Sequence, residues 1–428
     1  MSREDRAGGV MLDAVRGIVR AGSICPECLG RAFGRCGRGL SNPERGRALR
    51  LISSMLGEPE KDGECWVCGD LFAGVDSWAQ RAAEVVTERE FETYLFGVRL
   101  SPRLVEMEAH FGERFATGEA EPLKHAFNRE VGKCFERRFP GTTVSFDDPH
   151  ASFLIDLARD KVTAHIASVF VYGRYRKLVR GIPQTRWPCR RCRGRGCEAC
   201  GNTGKQYSES VEELIAPPFV EAAMAEGERF HGAGREDIDA RMLGRGRPFV
   251  LELLSPRRRQ LDLDELGASV NGAPEGKVEV SGLTLVRRST VELVKETKAR
   301  KRYRALVQFE GAVDSEAFTP ALESLVGEIE QQTPRRVLHR RSDLLRKRKV
   351  FDATGKLLGP TQAEIELATE GGLYVKELVS GDGGRTAPNL AERVGVAASV
   401  SELDVIEVVS LAFPDASPEA LDIADELP

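Results

Sequence analysis

Residues 234–249 read Gly234-Arg235-Glu236-Asp237-Ile238-Asp239-Ala240-Arg241-Met242-Leu243-Gly244-Arg245-Gly246-Arg247-Pro248-Phe249, a Gly- and Arg-rich polar segment that passes directly into the apolar run Phe249-Val250-Leu251. A buried carboxylate is costly unless paired, and loops held on a rigid sheet are where catalytic groups tend to sit. The stretch predicts a polar loop that feeds a core element, with Asp237 as its candidate reactive group. Asp237 and Asp239 are two residues apart, so an extended segment would put both on one face. A turn is expected instead, which sends only one of them into a given pocket. A solvent-exposed turn is the plain alternative for so short a polar motif.

Around this loop the C-terminal half alternates strands and helices. Val278–Val286, Tyr303–Phe309, Arg335–Arg341, Arg348–Asp352, Ala363–Ala368 and Asp404–Leu411 read as strands. Ser289–Arg300 and Asp314–Gln331 read as helices, Ser210-Val-Glu-Glu-Leu-Ile as a capped helical turn, and Leu373–Val379 as a helix or turn. Hairpin-linked strands with helices on one face indicate an α+β sheet domain. Further upstream, Leu123, Phe127, Val131 and Phe135 recur at helical spacing within Pro122–Arg138, while Val144–Phe146, Ala151–Ile155 and Ala164–Val171 read as short strands. That mixture predicts a separate small α/β module.

The chain of 428 residues is long enough for two to four domains. No apolar run is long enough to span a bilayer, and the charged N-terminus lacks a signal-peptide core, so a cytoplasmic protein is expected. The net charge of -4 hides a segmental distribution. Arg174–Lys205 holds ten Lys or Arg and one acid, Glu198; Lys298–Arg304 holds five bases and no acid; Arg335–Lys349 holds eight bases and one acid, Asp343. The acids gather elsewhere, in Glu84–Glu92, Asp262–Glu265 and the tail from Asp415. Three basic runs with so little acid among them point to a phosphate-binding surface rather than to ordinary solvated faces.

Eight of the ten cysteines form four Cys-x-x-Cys pairs, which in a reducing compartment means metal rather than disulfides. Cys25, Cys28, Cys65 and Cys68 supply four thiolates for a structural tetrahedral Zn site, with the helix-like Asn42–Leu56 between the pairs. Cys189, Cys192, Cys197 and Cys200 lie in a compact cationic knot, residues 186–206, where Gly194 and Gly196 permit the reversal that a second Zn site needs. A flexible, partly metallated tip is the alternative there. Cys36 and Cys134 are left as buried or idle thiols.

The Gly-Arg-x-Asp stretch resembles the catalytic loop of pseudouridine synthases, and the match runs well beyond it. The N-terminal knuckles, Gly173-Arg-Tyr-Arg-Lys-Leu-Val-Arg-Gly-Ile-Pro-Gln-Thr185, Ser210-Val-Glu-Glu-Leu, the Asp237 loop and Thr333-Pro-Arg-Arg-Val-Leu-His-Arg-Arg341 occur in that order. Together they resemble the archaeal-type tRNA pseudouridine synthases that carry a THUMP domain and modify positions 54 and 55 of the T-arm. The resemblance implies a mixed or antiparallel pseudouridine-synthase sheet over residues 186–428, with 186–206 as an insertion, a zinc module over 1–76 and a THUMP-like domain over 77–185.

The same resemblance implies roles for individual residues. Asp237 is catalytic, and Asp239 becomes a structural partner of Arg235 or Arg241. Tyr303 stacks on the flipped uracil. Gly371-Gly-Leu-Tyr374-Val375-Lys376 is similar to the Gly-x-Tyr-Ile-Arg segment of the bacterial T-loop enzyme, so Val375 lines the pocket and Lys376 neutralises Asp237, with a lysine where that enzyme has arginine. Tyr374 and Arg235 complete the substrate site. Arg174, Arg176, Lys177, Arg180, Arg335, Arg336, Arg340 and Arg341 are expected on RNA. The implied protein is a monomer that binds tRNA, holds structural Zn and needs no organic cofactor. A zinc-containing RNA-binding or chaperone-like protein without catalysis is the competing reading, because the 189–200 knot resembles one unit of a DnaJ-type repeat. A single unit argues against it. THUMP-bearing methyltransferases and thiouridine synthetases need a methionine-cofactor or ATP-binding loop, and neither occurs in the chain.

Overall fold

The computed structural model describes residues 3–37, 39–115, 120–296 and 299–409. Lys298, Leu411 and the tail from Asp415 lie outside them. The chain divides into two units between residues 167 and 168.

In the first unit, helix Pro26–Arg31 packs on helix Asn42–Met55, which starts at a Ser41–Glu44 capping box. The helices meet at two glycines: a Cβ at Gly30 would lie 1.8 Å from the Asn42 carbonyl oxygen, and one at Gly46 would lie 1.8 Å from that of Pro26. Ile18, Leu29, Phe33 and Leu49 close a small core around Cys28, Cys65 and Cys68. The same unit contains a sheet of β1 (Thr93–Arg99), β2 (Thr143–Val144), β3 (Ala151–Asp156) and β4 (Lys161–Ile166), ordered β2-β1-β3-β4. Helices Val75–Val85 and Leu123–Glu136 pack against this sheet through one apolar cluster. Leu123, Phe127, Val131 and Phe135, picked out by their spacing, are all fully buried.

Two strand expectations change here. Val144–Phe146 shortens to Thr143–Val144, because Phe146 is 86% exposed and offers nothing to the core. The run Ala164–Val171 is two strands, since β4 ends at Ile166 and the next strand, β5 (Val169–Lys177), belongs to the sheet of the second unit. The domain boundary expected at 185 therefore falls at 167, and the knuckles share one compact unit with the α/β module.

The second unit is built on a ten-stranded mixed sheet. After β5 come β6 (Gly227–Gly232), β7 (Ala240–Leu254), β8 (Val278–Val286), β9 (Arg300–Phe309), β10 (Gly327–Gln332), β11 (Leu345–Gly359), β12 (Gln362–Thr369), β13 (Thr386–Ala387) and β14 (Ala398–Val409). Their order is β13-β10-β11-β12-β9-β14-β7-β5-β8, with β6 also on β7. Pairing within this sheet is antiparallel except where β14 runs parallel to β7.

The long strand β7 organises the site because its pairing changes along its length. Residues 249–254 pair with β6, whereas 240–242 pair with β14. Between them Gly244 and Gly246 take φ of +59° and +76°. A Cβ at Gly244 would sit 2.0 Å from the Ile406 carbonyl oxygen, and one at Gly246 would sit 2.6 Å from that of Tyr175, so only glycine fits at either place. Two further expectations are corrected. Asp314–Gln331 is a helix, Ser315–Glu323, followed by β10, with Gly327 (φ +133°) where the direction changes. Arg335–Arg341 is no strand: Pro334 has no N–H for a ladder, residues 335–340 coil as a 3-10 helix, and the Thr333 hydroxyl closes the loop on the Ser342 carbonyl at 2.7 Å.

Candidate active site at the Asp237 loop

The loop 233–239 leaves the sheet between the end of β6 and the start of β7. Its two adjacent carboxylates differ in burial and in partners. Glu236 turns inward, where the Tyr175 hydroxyl donates to it at 2.9 Å and the Arg247 Nε at 2.9 Å, with the Lys177 Nζ 3.7 Å away. Arg247 also donates to the Ala233 carbonyl at 2.8 Å. Lys177 donates to the carbonyls of Ile182, Asp237 and Ile238 at 3.0, 3.2 and 3.2 Å. Gln184 ties the Tyr175 hydroxyl (2.7 Å) to the Gly234 carbonyl (2.9 Å). The loop backbone is thus fixed from below by a buried, hydrogen-bonded ion cluster, the arrangement in which buried charge is tolerated. Burial pushes the Lys177 ammonium down, with Glu236 opposing, and pushes the Tyr175 phenol well up.

Asp237 faces a cavity of about 540 Å³. Arg336 grips its carboxylate with both terminal nitrogens, at 3.1 and 3.4 Å, while the Arg336 Nε donates to Glu377 at 2.7 Å. Burial alone would lower the Arg336 pKa, but its two carboxylate partners raise it, so the guanidinium stays charged. The Lys376 ammonium lies 3.8 Å from Asp237 and only 2.5 Å from Asp239. The main cation on Asp237 is therefore Arg336 rather than Lys376. Two-pronged geometry, expected to be lost with a lysine at 376, is restored from the segment 335–340. Asp239, largely exposed, pairs with Lys376 and not with Arg241, which is clamped on Asp404 at 2.6 and 2.9 Å.

The structure brings the other expected substrate residues to the same cavity. Tyr303 on β9 and Val375, at the start of helix Val375–Ser380, line it with Tyr374, Lys376 and Arg235. Burial, opposed by Arg247 and helped by Asp237 and Glu236, pushes the Tyr303 phenol up to about 12. Tyr374 is set by Gln331, which accepts from its backbone N–H at 2.9 Å and donates to its carbonyl at 3.0 Å; its hydroxyl accepts from Arg341 at 3.3 Å.

Glu236, Arg247, Gln184 and Lys301 were not foreseen as site residues. Lys301 lines the cavity two residues before Tyr303, on the same face of β9, so strand alternation held its signal. Burial and the nearby Arg247 push its ammonium down to about 7, Glu236 opposing. Nothing local marked Glu236 or Arg247, whose partners are distant in sequence.

The cations expected on RNA separate into two groups. Lys177 is fully buried and holds the loop, so it presents nothing to a ligand. Arg180 is bound to Glu402, Asp404 and the Asp239 and Leu403 carbonyls, and Arg336 is committed to Asp237 and Glu377. Arg176 pairs with Glu279, and Arg174 donates to the Gly246 carbonyl at 3.1 Å. The Arg335 backbone N–H donates to Asp382 at 3.0 Å and its surface is exposed; the Arg340 side chain is outside the described residues. In the knot, Arg190, Arg191 and Arg193 are exposed and have no ion-pair partner among the described residues.

Both cysteine quartets are gathered, each with its four sulfurs within 4.8 Å of one another. Cys25 and Cys68 are 3.7 Å apart, and Cys189–Cys197, Cys192–Cys200 and Cys197–Cys200 are 4.0, 3.9 and 3.7 Å apart. A ZnS₄ tetrahedron with bonds of about 2.3 Å has sulfur–sulfur edges of about 3.8 Å, so both donor sets fit such an ion. Gly194 and Gly196 take φ of +92° and +88° at the reversal of the knot, and the Gly196 and Gly204 N–H groups donate to Cys192 and Cys200. Cys134 is buried, and Cys36 is partly so.

Fold and site define an enzyme-like cleft in which the Asp237 carboxylate, a buried tyrosine and a rim of cations converge on a mixed sheet. The family profile described as Pus10, C-terminal, matches residues 170–409, and that of the archaeal Pus10 THUMP domain matches 78–156. Relatives named tRNA pseudouridine synthase Pus10 are 48% identical in Halorubrum lacusprofundi (93% of this chain, 96% of that protein) and 44% identical in Methanothrix thermoacetophila (94% and 95%). A Cbf5–Nop10–Gar1 complex is similar at 16% identity and a TM-score of 0.31, over 55% of this chain and 48% of that one. The chain belongs to the Pus10 family.

Proposed function

We propose that the chain is a tRNA pseudouridine synthase that isomerises uridine in the T-arm, at position 54, position 55 or both, with Asp237 as the catalytic group. The observation that carries this is the Asp237 carboxylate held by Arg336 at the edge of a cavity lined by Tyr303 and Val375. Isomerisation breaks the N1–C1′ bond, turns the uracil, joins C5 to C1′ and releases the C5 proton, so the uridine must first leave its stack. Arg336 holds and orients the Asp237 carboxylate through two nitrogens, and that carboxylate is the group placed to act as nucleophile at C1′ or as base on the ribose. Tyr303 offers a ring on which the detached uracil can turn, and Val375 excludes water beside it. The family name of the relatives supports the tRNA substrate.

Cys25, Cys28, Cys65 and Cys68 would hold one Zn and Cys189, Cys192, Cys197 and Cys200 another, each cross-linking a segment too small to build a large core. Within the first unit we assign 1–76 to the zinc module and the rest to the THUMP-like RNA-binding part. Among the described residues no helix is long and apolar enough to cross a membrane. A monomer acting in the cytoplasm completes the reading. Release of tritium from C5-labelled uridine in an unmodified tRNA, with the modified position mapped, is the test. Asp237→Asn is expected to abolish release while tRNA binding stays within about two-fold; retained release in this variant would remove Asp237 from the mechanism.

A further inference from the structure

A second cavity, of about 320 Å³, is lined in part by the same Asp237 loop. Asp237, Arg336 and His339 line it from one side, and Trp187, Arg190 and Tyr207 from the cysteine knot line it from the other. Its size is near the lower end of small-ligand pockets, which start at roughly 300 Å³. The wall that the knot contributes is built rather than loose. Trp187 and Tyr207 sit on its neck, a short antiparallel ladder in which the Gln206 N–H donates to the Trp187 carbonyl at 2.9 Å and Pro188 bridges Lys205. Their rings meet edge to face, 5.7 Å between centroids. The neck is tied to helix Val211–Ala223, through the Arg186 N–H on Glu212 at 3.1 Å and the Lys205–Glu213 ion pair. The same stretch of chain fixes the Asp237 loop, since the Gly181 N–H donates to the Ile238 carbonyl at 2.9 Å and Gln184 donates to that of Gly234 at 2.9 Å. Aromatic wall and catalytic loop are therefore held in one register.

Two aromatic rings, an arginine with no ion-pair partner among the described residues, and lining shared with the Asp237 cleft suit one kind of occupant: an unstacked base with its phosphate. We propose that this cavity is a nucleotide subsite that receives the residue flanking the isomerised uridine, with its base against Trp187 and Tyr207 and its phosphate toward Arg190. The inference rests on the reading of Asp237 as the catalytic group. It gives the knot a role in substrate choice, because contacts to flanking nucleotides help decide which base an enzyme of this kind draws out.

The test is a cycle between protein and RNA in the full-length chain. Unmodified tRNA is made with an abasic residue immediately 5′ or 3′ of the target uridine, and binding and single-turnover tritium release are measured for wild type, Trp187→Ala and Trp187→Phe. One abasic substitution is expected to cost wild type on the order of ten- to a hundred-fold. Trp187→Ala should cost a similar factor on intact tRNA and little more on that abasic tRNA, while Trp187→Phe keeps most of the wild-type value. The flank that couples to Trp187 identifies the nucleotide. Losses below two-fold at both flanks in wild type, an arm that needs no folded variant, overturn the subsite. So does a Trp187→Ala loss that multiplies with both abasic losses. Release retained by Asp237→Asn alongside intact coupling would instead overturn the catalytic assignment and leave the subsite standing.

Discussion

Glu236→Gln is the substitution that separates the support of the Asp237 loop from the chemistry proposed for it. The side chain keeps its shape but loses its charge; its amide oxygen can take both donors that now meet on Oε2, the Tyr175 hydroxyl and the Arg247 Nε at 2.9 Å each, but an NH₂ group replaces the Oε1 that lies 3.7 Å from the Lys177 Nζ. Arg247 and Lys177, both fully buried, are left without their carboxylate. Removing one partner of a buried ion pair costs about 3–5 kcal/mol, because the surviving charge stays out of water. The second buried cation moves the expectation toward the upper part of that range. A domain is stable by only about 5–15 kcal/mol, so the second unit should remain folded but with most of its margin gone. The assay is urea unfolding of the full chain, followed by Trp187 fluorescence in a Trp66→Phe, Trp78→Phe background, which places the reporter in the second unit. The midpoint should fall with the slope unchanged, and kcat should fall because the Lys177 and Gln184 contacts no longer hold the loop. Arg247→Met on top of Glu236→Gln should recover part of the loss, since it removes one of the stranded charges. A loss of less than about 1 kcal/mol for Glu236→Gln, within the range of surface substitutions, would refute the account of how the loop is held.

Arg336→Met should lower the single-turnover rate by on the order of a hundred-fold, while Lys376→Met should lower it by no more than about ten-fold; the reverse ranking would return the role of main cation to Lys376. Cys25→Ser should reduce bound Zn by one equivalent and make residues 3–115 sensitive to protease, and full metal content with unchanged digestion would contradict the first zinc site. Lys301 is pushed from its ordinary 10.5 to about 7, so the unfolded chain binds the extra proton between those values and stability should rise with pH across that window. Lys301→Met should flatten this slope without altering stability above pH 10.5, and an unchanged slope would show that Lys301 is not the group responsible.

Periodicity located the individual elements where one face is buried and the other is wet. Leu123, Phe127, Val131 and Phe135 announced their helix because spacing alone decides which side of a helix meets a core. It failed where apolar runs continued across a change of partner. Ala164–Val171 is apolar at six of its eight positions, yet a break at residues 167 and 168 sends its halves to different sheets. The reading failed again at Arg335–Arg341, taken for a strand, where Pro334 and the Thr333 hydroxyl direct a 3-10 turn. That turn is what delivers Arg336 to Asp237.

The sequence by itself determined the cysteine quartets, each of which the fold gathers with its sulfurs within 4.8 Å of one another, and the family, whose ordered motifs cover most of the chain. It also pointed to Asp237, Tyr303 and Val375, which the fold brings to one cavity. Only the tertiary structure decided which cations serve which carboxylates. Lys177 lies in the longest of the three basic runs but is buried under the loop, and Arg336 lies in an apparent phosphate-binding strand but grips Asp237. The reason is physical: a strand or turn fixes where a side chain starts, but the partner of a long flexible cation is chosen by which carboxylates the chain brings within a few ångströms and away from water. Glu236 and Asp237 are neighbours in sequence and share a turn. Burial alone separates the one that holds the loop from the one that faces the cleft.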